Sequence, residues 1–473
     1  MTIYKPKPLK RVVSDSICNI AHGITNSNVV FVIGAGVSKA SPTNLPLGQE
    51  ITTSVTSKLP YTSLACCITA ALDNNLLSIA DAAEANSAES LRLLQKIILE
   101  LFDFKTAPPN YAHRCISLLM AEGKLKVMTT NWDNCIEREA VSTYCDLIAC
   151  RQPSEIGETG NSAMLLKLHG CATIEGSIKV SSTQVNEVWW AGHQLAVAVE
   201  SGQVVFLGIG SVAQYLKETI KRIIELSREP LKIKVVDICR SDDWDSLLPK
   251  HATDFYIPLS AEEFLDDVIS SSTMNQMLAA SELAREITQH NNIERIDLND
   301  SVSQVIDFIG VYPSHYLWLW VRRGVFPAIC CGAVLESNFV RYIIAMALIH
   351  NISPLQSVQL SSNVVSIVCK DFLFELAWAK DPLPAYVLCE RKRESLIGSR
   401  RDNTLPSGLP CLIVVNDPSG PLPGPTITEE SVVDTPNPDN LIDGPETIAP
   451  RWISLDNLLT VRTKDELRQL LGV

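Results

Sequence analysis

Two glycines directly follow an uninterrupted run of five apolar residues, and phosphate binding is the chemistry that their spacing favours. Val29 to Ile33 is followed by Gly34-Ala35-Gly36 and then by Val37-Ser38-Lys39. A turn that leads from a buried strand into a helix exposes backbone N–H groups, which bind phosphate. Gly34 would permit the tight turn, and Gly36 would let a pyrophosphate approach the main chain. Since Lys39 replaces the third glycine of the dinucleotide fingerprint, a strand–turn–helix without a ligand is the alternative.

Three later stretches share this form, because each is an apolar run that ends in polar or small residues. They are Val127-Met128-Thr129-Thr130-Asn131-Trp132-Asp133, Leu165-Leu166-Lys167-Leu168-His169-Gly170 and Val204-Val205-Phe206-Leu207-Gly208-Ile209-Gly210-Ser211. The first presents Asn131 and Asp133 at its end, and the second presents His169. Ligands of open α/β sheets bind outside the carboxyl ends of the strands. The four stretches therefore predict one ligand site at a single sheet edge.

Alternating strands and helices must position these strand ends. Helices are predicted over 10–25, 49–59, 76–104, 110–122 (amphipathic), 134–140 and 214–226, and a strand over 231–236 that carries Asp237 at its end. Residues 255–269 are predicted to form a strand and a helix capped by Ser260. This alternation predicts an α/β fold with a Rossmann-like parallel sheet covered on both faces. The first domain is predicted over 1–270, with a polar, partly helical connector over 271–300.

A second α/β or α+β domain is predicted over 301–473. Its expected elements are a helix over 332–350, strands over 364–378, 384–390 and 412–415, an extended proline-rich acidic segment over 416–450, and a terminal amphipathic piece over 453–471. Glu336, Asp371, Glu390 and Lys392 weakly resemble the site of the restriction-endonuclease-like fold, whose carboxylates hold Mg²⁺. The alternative is a solvated surface on a regulatory or oligomerising domain.

The bulk composition bounds the class of protein. The net charge of −13 gives no support to non-specific nucleic-acid binding, although specific contact with nucleic acid stays open. No apolar segment reaches the length of a membrane span, so no contact with a membrane is predicted. The fourteen cysteines are scattered, several of them in apolar runs such as those around Cys239 and Cys369. Without a secretory signal, this pattern predicts a cytoplasmic protein with buried free thiols.

The four motif stretches, taken together, resemble those of the sirtuins. Gly34-Ala35-Gly36-Val37-Ser38, Thr130-Asn131-Trp132-Asp133, Leu168-His169-Gly170 and Gly208-Ile209-Gly210-Ser211 follow the family's order, and the resemblance covers roughly residues 10–270. The chain looks closest to the sirtuin-like NAD hydrolases of bacterial anti-phage defence. The resemblance implies a Rossmann-like catalytic domain that takes NAD as its substrate.

The resemblance also implies a role for each motif residue in breaking the bond between nicotinamide and ribose. Gly34, Ala35, Gly36 and Ser38 would hold the pyrophosphate; Gly208, Gly210 and Ser211 would contact the cofactor on its adenosine side, and Asp237 would bind ribose hydroxyls. Asn131 would orient water or a ribose hydroxyl, and Asp133 would contact the nicotinamide carboxamide. His169 would be the general base, with a pKa near the working pH. The alternatives are a structural His169, a helix-capping Asp133 and a turn-forming Ser38.

Two departures from the sirtuin pattern favour water as the nucleophile. Deacylating sirtuins hold a structural zinc with two Cys-x-x-Cys pairs placed after the catalytic histidine. This chain has no Cys-x-x-Cys, and Cys171 has no cysteine two or three residues on, so no zinc and no other metal is predicted. The Asp-Phe-Arg run that follows the sirtuin glycine turn is also missing. Hydrolysis of NAD is thus favoured over deacylation and over binding of NAD or ADP-ribose without turnover, and formation of cyclic ADP-ribose is left open.

A defence enzyme of this kind must stay silent until it is triggered. The second domain is therefore expected to restrain the first, through homo-oligomerisation or a partner protein of the defence system. A phage component or a nucleic acid would release the restraint. The sequence does not identify the trigger.

Overall fold

The computed structural model of the protein describes the following parts of the chain. These are residues 13–26, 28–73, 75–121, 125–143, 145–156, 162–186, 202–210, 212, 217–218, 220–221, 233–248, 255–290, 304–305, 307, 345–350, 353–360, 364–370, 372–377, 411–415, 451–454, 458, 461 and 463–471. The chain divides into two compact units, 12–272 with 1–5, and 273–473 with 6–11. The domain roles assigned from the sequence remain predictions.

The first unit is built on a seven-stranded sheet in which every pairing is parallel. Its strands are β1 (Val29–Ile33), β2 (Lys126–Thr129), β3 (Leu147–Cys150), β4 (Ala163–Lys167), β5 (Gln203–Leu207), β6 (Ile233–Val236) and β7 (Tyr256–Ile257). The strand order is β3-β4-β2-β1-β5-β6-β7. All five residues of β1 are buried, as expected for a central strand covered on both faces. The predicted Rossmann-like α/β fold is confirmed.

Helices alternate with these strands along the chain. They are α1 (Asp15–Thr25), α2 (Gly48–Lys58), α3 (Ile68–Ala71), α4 (Leu76–Asn86), α5 (Ala88–Leu101), α6 (Tyr111–Ala121), α7 (Cys135–Ser142), α8 (Pro153–Ile156), α9 (Ser182–Asn186), α10 (Asp242–Leu247) and α11 (Ala261–His290). The predicted helix 214–226 lies mostly outside the described residues. A 3₁₀ turn over Ala35–Ser38 takes the place of the helix expected after the glycines.

The prediction of one helix over 76–104 is wrong. Ser87 is extended, with φ −172°, and its hydroxyl oxygen accepts a hydrogen bond from the backbone N–H of Ser90. It therefore ends α4 and caps α5. Helices α2 to α5 pack around a core of their own, which also includes Ala172, Ile178 and Val180.

Helix α6 is not amphipathic in the structure, because all eleven of its residues are buried. Its polar side chains find partners inside the protein. Arg114 pairs with Glu139 at 2.7 Å, and Ser117 bonds to Thr143 at 2.5 Å. The regularly spaced polar residues of α6 therefore form hydrogen bonds inside the protein and do not face solvent.

Helix α11 begins where the sequence indicated but ends much later. Ser260 caps it, since the N–H of Glu263 donates to the Ser260 hydroxyl at 3.2 Å and the N–H of Ser260 donates to the Glu263 carboxylate at 3.0 Å. The prediction that the helix stops at Ile269 is wrong, because the helix runs without a break to His290. No glycine or proline interrupts it, and the serines that suggested a connector are buried.

The second unit contains a five-stranded mixed sheet. Its strands are β8 (Leu355–Leu360), β9 (Val364–Cys369), β10 (Leu373–Ala377), β11 (Cys411–Val415) and β12 (Arg451–Ser454), in the order β12-β11-β10-β9-β8. Strands β8, β9 and β10 are antiparallel, whereas β11 and β12 run parallel to β10. Helix α12 (Lys464–Leu471) follows.

The single strand predicted over 364–378 is therefore a hairpin of β9 and β10. Glu336, Asp371, Glu390 and Lys392 lie outside the described residues, as do the predicted strand 384–390 and the segment 416–450.

Free thiols were predicted to be buried, and seven of the ten cysteines whose side chains the structure describes are buried. Cys239, however, is exposed in the loop after β6. Across the described residues, no helix combines the length and the apolar character that crossing a membrane requires.

Candidate functional site

The predicted site residues meet at the carboxyl edge of the seven-stranded sheet. Gly34 follows β1, Asn131 and Asp133 follow β2, and His169 follows β4. Gly208 and Gly210 follow β5, and Asp237 follows β6. Because the sheet is parallel, its carboxyl ends share one edge, so strand topology alone brings these residues to the same side. Ser211 lies outside the described residues.

The two glycine turns pack directly against each other. The N–H of Gly34 donates to Leu207 O and the N–H of Gly36 donates to Gly208 O, each at 3.0 Å. A Cβ on Gly36 would lie 2.8 Å from Gly208 Cα, and Gly208 itself has φ +65°. These glycines are thus required for contact between the turns, whether or not a pyrophosphate binds, and the pyrophosphate role stays a prediction.

Ser38 is the centre of a buried hydrogen-bond network. Its hydroxyl donates to Asp133 Oδ2 at 2.8 Å, and its Oγ lies 3.1 Å from both Asn131 Nδ2 and His113 Nε2. Asn131 Nδ2 also donates to Gly34 O at 3.0 Å. Ser38 is only 2% exposed, so these contacts are shielded from water. The network joins the turn after β1 to the loop after β2 and to helix α6.

The network fixes which way the Asn131 amide faces. Gly34 O can only accept a hydrogen bond, so the Asn131 atom beside it must be the NH₂ nitrogen. Ser38 gives its single proton to Asp133 and therefore accepts from Asn131 as well. The amide oxygen Oδ1 accepts no hydrogen bond from the described residues and is left for a ligand.

Asp133 is bound on both of its carboxylate oxygens. Oδ2 accepts from Ser38, and Oδ1 accepts from the N–H of Cys135 at 3.1 Å, in the first turn of α7. The capping alternative is thus present in the structure, and the lone pairs left on each oxygen still allow a contact with a ligand.

The ammonium group of Lys167 binds the backbone of the loop that carries Asp133. Lys167 is 1% exposed, and it donates to Asp133 O and, at 3.0 Å, to Glu137. Burial acts to lower the pKa of Lys167, but Glu137, Cys171 and Asp133 together raise it above its ordinary value. Lys167 therefore stays charged under the loop.

His169 is half-buried, and its pKa is not near the working pH. Burial, with a smaller contribution from Lys179, lowers the pKa of His169 from 6.5 to about 4. The expectation of a pKa near neutrality is therefore wrong, because the sequence does not show how far the fold shields this ring from water. The ring is neutral at physiological pH and can accept a proton, although it is a weak base.

The chain after His169 forms a short closed loop. The N–H of Lys179 donates to His169 O at 2.9 Å. Gly170 has φ +82°, and a Cβ there would lie 1.9 Å from Ser177 O. Position 170 therefore requires a glycine, and the loop between residues 170 and 179 is compact.

Asp237 lies half-buried at the end of β6. Its carboxylate accepts from the N–H of Cys239 at 3.3 Å, and its carbonyl oxygen accepts from the Tyr256 hydroxyl at 2.7 Å. Gly210 is exposed, and a Cβ there would meet no atom of the described residues within 4 Å. Unlike Gly34, Gly36 and Gly208, Gly210 has no packing reason to be a glycine.

A mainly apolar cavity of about 220 Å³ opens beside Asn131. It lies between the sheet edge and the helical core of α2 to α5, and its lining includes Ala35, Ser38, Ile51, Phe104, Trp132 and Asp133. Phe104 and Trp132 meet edge to face, with ring centroids 5.6 Å apart. The indole N–H of Trp132 is buried and has no hydrogen-bond partner among the described residues. The cavity wall therefore combines aromatic surface with the polar side chains of Asn131 and Asp133.

His113, Asp133 and Cys135 also lie close enough together to hold a metal ion. Their donor atoms are already committed, however. The two ring nitrogens of His113 bond to Asn110 N and Ser38 Oγ. Burial, followed by the nearby Asp133 charge, raises the pKa of the Cys135 thiol far above its ordinary value, so the thiolate that a metal needs is disfavoured. The cluster does not fit a metal.

Three contributors to this site were not identified from the sequence. His113 and Lys167 are buried polar residues inside regular elements, and Phe104 follows a helix end. A buried charge in a strand such as β4 is the signal that could have identified Lys167, because it needs a partner. Nothing local distinguishes His113.

Comparisons with known proteins find similarity in the first unit. Residues 125–248 match the family model of the SIR2-like domain, a span that contains Asn131, Asp133, His169 and Gly208. No curated protein matches the chain.

Solved structures similar to the chain include a crystal structure of a Sir2 homolog–NAD complex. It is 13% identical, with a TM-score of 0.31, over 53% of this chain and 91% of that chain. A mutant Sir2 homologue with 2'-O-acetyl ADP ribose is also 13% identical, with a TM-score of 0.31, over 56% and 98%. A mutant Sir2 homologue with ADP ribose is 12% identical, with a TM-score of 0.31, over 56% and 98%.

Proposed function

We propose that the protein cleaves NAD to nicotinamide and ADP-ribose, and that it serves prokaryotic anti-phage defence in the cytoplasm by depleting NAD. The observation that carries this proposal is the fixed amide of Asn131, whose oxygen is left for a ligand at the carboxyl edge of the sheet. The match of residues 125–248 to the SIR2-like domain supports NAD as the substrate.

Asn131 supplies what cleavage of the nicotinamide–ribose bond requires near the sugar. The transition state resembles an oxocarbenium ion, so the attacking water must be held in line. An amide oxygen that cannot rotate accepts one hydrogen from that water, or from a ribose hydroxyl, and fixes its direction. Rotation is prevented because the NH₂ group is bound on both sides, by Gly34 O and Ser38 Oγ.

The cavity beside Asn131 offers a place for the leaving nicotinamide. A carboxamide has one acceptor oxygen and an NH₂ donor. The Asp133 carboxylate, which lines the cavity, matches the NH₂ group. The aromatic rings of Phe104 and Trp132 suit the pyridine ring.

Water is favoured over an acyl oxygen as the nucleophile. The absence of any Cys-x-x-Cys pair from the sequence supports this preference, because the deacylating sirtuins use such pairs to hold their zinc. His169, neutral at physiological pH, accepts the proton from water or from a ribose hydroxyl. No metal enters this chemistry.

One observation favours a second candidate, which is binding of NAD or ADP-ribose without turnover. A histidine with a pKa of about 4 is a weak general base. The two candidates differ in a single measurable quantity, the nicotinamide released from NAD.

The test measures nicotinamide release by purified wild-type protein and by the Asn131→Ala and His169→Ala variants. Both variants are expected to lose cleavage while keeping the wild-type thermal midpoint. Asn19→Ala and His22→Ala are matched controls, because both residues are exposed on α1, beside the amino ends of the strands. Near-normal turnover in either site variant contradicts the site assignment. ADP-ribose binding without any nicotinamide release supports the second candidate, and deacylation of an acetyl-lysine peptide contradicts hydrolysis.

Control by the second unit is part of the proposal. A switch from about 99:1 silent to 99:1 active requires roughly 5.5 kcal/mol of differential binding, which a new protein interface can supply. We expect homo-oligomerisation or a partner protein to impose the silent state and a phage-derived trigger to reverse it. NAD is measured in cells with and without phage infection, next to the His169→Ala variant. Steady loss of NAD without infection contradicts the restraint.

A further inference from the structure

The proton positions around His113 follow from one backbone hydrogen bond. The N–H of Asn110 donates to His113 Nδ1 at 3.1 Å. A backbone N–H only donates, so Nδ1 carries no proton, and the neutral ring has its proton on Nε2. Burial lowers the pKa of His113; Asp133 and Glu139 act to raise it and Lys167 to lower it. The neutral ring is the one that fits.

The Nε2 proton then sets the direction of the next hydrogen bonds. Nε2–H donates to Ser38 Oγ at 3.1 Å, and Ser38 in turn donates its hydroxyl proton to Asp133 Oδ2. Asn131 Nδ2 donates to the same Ser38 oxygen. Ser38 Oγ therefore accepts two hydrogen bonds and donates one, which fills its capacity. Protons point in one direction along the series, from Asn110 through His113 and Ser38 to Asp133.

This direction excludes a nucleophilic serine. In a Ser–His–Asp triad, the histidine accepts the serine proton and the aspartate accepts from the histidine. Here His113 donates to Ser38, and the aspartate accepts from the serine. The same three residue types are present, but their protons are arranged for positioning.

We infer that His113 is a positioning residue for NAD cleavage, which holds the Ser38 hydroxyl toward Asp133 and thereby keeps the Asn131 oxygen facing the ligand. The inference rests on the proposed function. Without the Nε2–H donor, the Ser38 hydroxyl can turn its proton away from Asp133 and toward Asn131, so that Nδ2 keeps only its hydrogen bond to Gly34 O and the amide is held on one side. The water or ribose hydroxyl held by Asn131 would lose its acceptor, whereas the turns that bind the rest of NAD would be unchanged.

The test compares two substitutions of similar size. His113→Gln places an amide NH₂ near the position of Nε2 and keeps a donor toward Ser38. His113→Leu removes the donor and keeps the apolar contacts. We expect His113→Leu to lower kcat at least about tenfold, while KM for NAD and Kd for ADP-ribose change less than about twofold. His113→Gln should recover most of kcat. Ile116→Ala, buried on the same helix, controls for lost stability and should leave kcat unchanged.

Each outcome decides the inference. Equal kcat losses in the Leu and Gln variants contradict the donor role, as does an unchanged kcat in His113→Leu. A kcat loss in Ile116→Ala that matches that of His113→Leu at equal loss of thermal midpoint shows a structural role only.

A readout independent of activity separates this inference from the proposed function. NMR of protein labelled with ¹⁵N in the histidine rings reports which ring nitrogen carries the proton. A protonated Nε2 whose signal shifts in Ser38→Ala supports the hydrogen bond from His113 to Ser38, even if the wild-type protein releases no nicotinamide. A protonated Nδ1 overturns it.

Discussion

Lowering the pH from about 7.5 to about 5 should cost wild-type protein about 2 kcal/mol of unfolding free energy that a His169→Gln variant retains. Burial holds the pKa of His169 at about 4 in the folded protein, against 6.5 in an unfolded chain. Between these values the unfolded chain binds a proton that the folded protein excludes, so stability falls as the pH falls. The full effect, reached below pH 4, is about 3 kcal/mol.

Urea unfolding followed by tryptophan fluorescence measures this difference in the full chain. Wild-type protein and His169→Gln are compared at each pH, so that the contributions of all other titrating groups cancel. Equal losses of stability in the two proteins would refute the reasoning, since they would show that the ring of His169 is not kept neutral by burial.

The same pKa predicts the pH dependence of activity. A general base with an ordinary histidine pKa would lose kcat/KM as the pH falls below 6.5. With His169 at about 4, kcat/KM for NAD should stay level from about pH 7.5 to about pH 5.5. A fall centred near 6.5 would show that the ring is solvated in the active protein.

Further substitutions test the local geometry. Gly170→Ala should lower the free energy of unfolding by about 3 kcal/mol or prevent folding, because the new Cβ would collide with Ser177 O. Gly176→Ala is the control: Gly176 also has a positive φ, but a Cβ there meets no described atom, so the loss should be about 1 kcal/mol. Similar thermal midpoints for the two variants would contradict this prediction. Lys167→Met should destabilise the protein by about 3 kcal/mol, because Glu137 and Asp133 O lose their partner. Lys39→Met breaks an exposed pair with Glu50 and should destabilise it by less than about 1 kcal/mol. Urea unfolding measures both losses. Metal analysis of purified protein should find no stoichiometric zinc. One zinc per chain would contradict this prediction and would favour the hypothesis that the protein is a deacylase.

Local patterns identified the strands, but they could not determine the strand order. The apolar runs at Val29–Ile33 and Gln203–Leu207 predict strands because both faces of a parallel sheet are buried. Which strands are neighbours depends on pairings between distant segments, such as Val30 with Lys126. The end of α4 at Ser87 could not be predicted from the sequence either, because a serine can continue a helix or cap one, depending on its surroundings.

The site was predictable in part because strand ends of a parallel sheet must meet. The prediction that Asn131, Asp133 and His169 lie at one sheet edge was made in this way. His113 was not predicted, because it lies in the first turn of a helix and its proposed role comes from a bond to Ser38, 75 residues earlier. The low pKa of His169 was also beyond the sequence, since burial of a side chain depends on the whole fold.

The central position of β1 sets the order in which a growing chain can assemble this site. Val30 pairs with Lys126 on one side and with Val204 on the other, so the second neighbour leaves the ribosome long after the first. At roughly 5–20 residues per second, synthesis of the intervening chain takes on the order of ten seconds or more. During that time Gly34 and Gly36 have no Gly208 to pack against, and the turn that they form is incomplete. A nascent or prematurely terminated chain that stops before β5 therefore carries the residues of the β1 turn without the second glycine turn that they pack against.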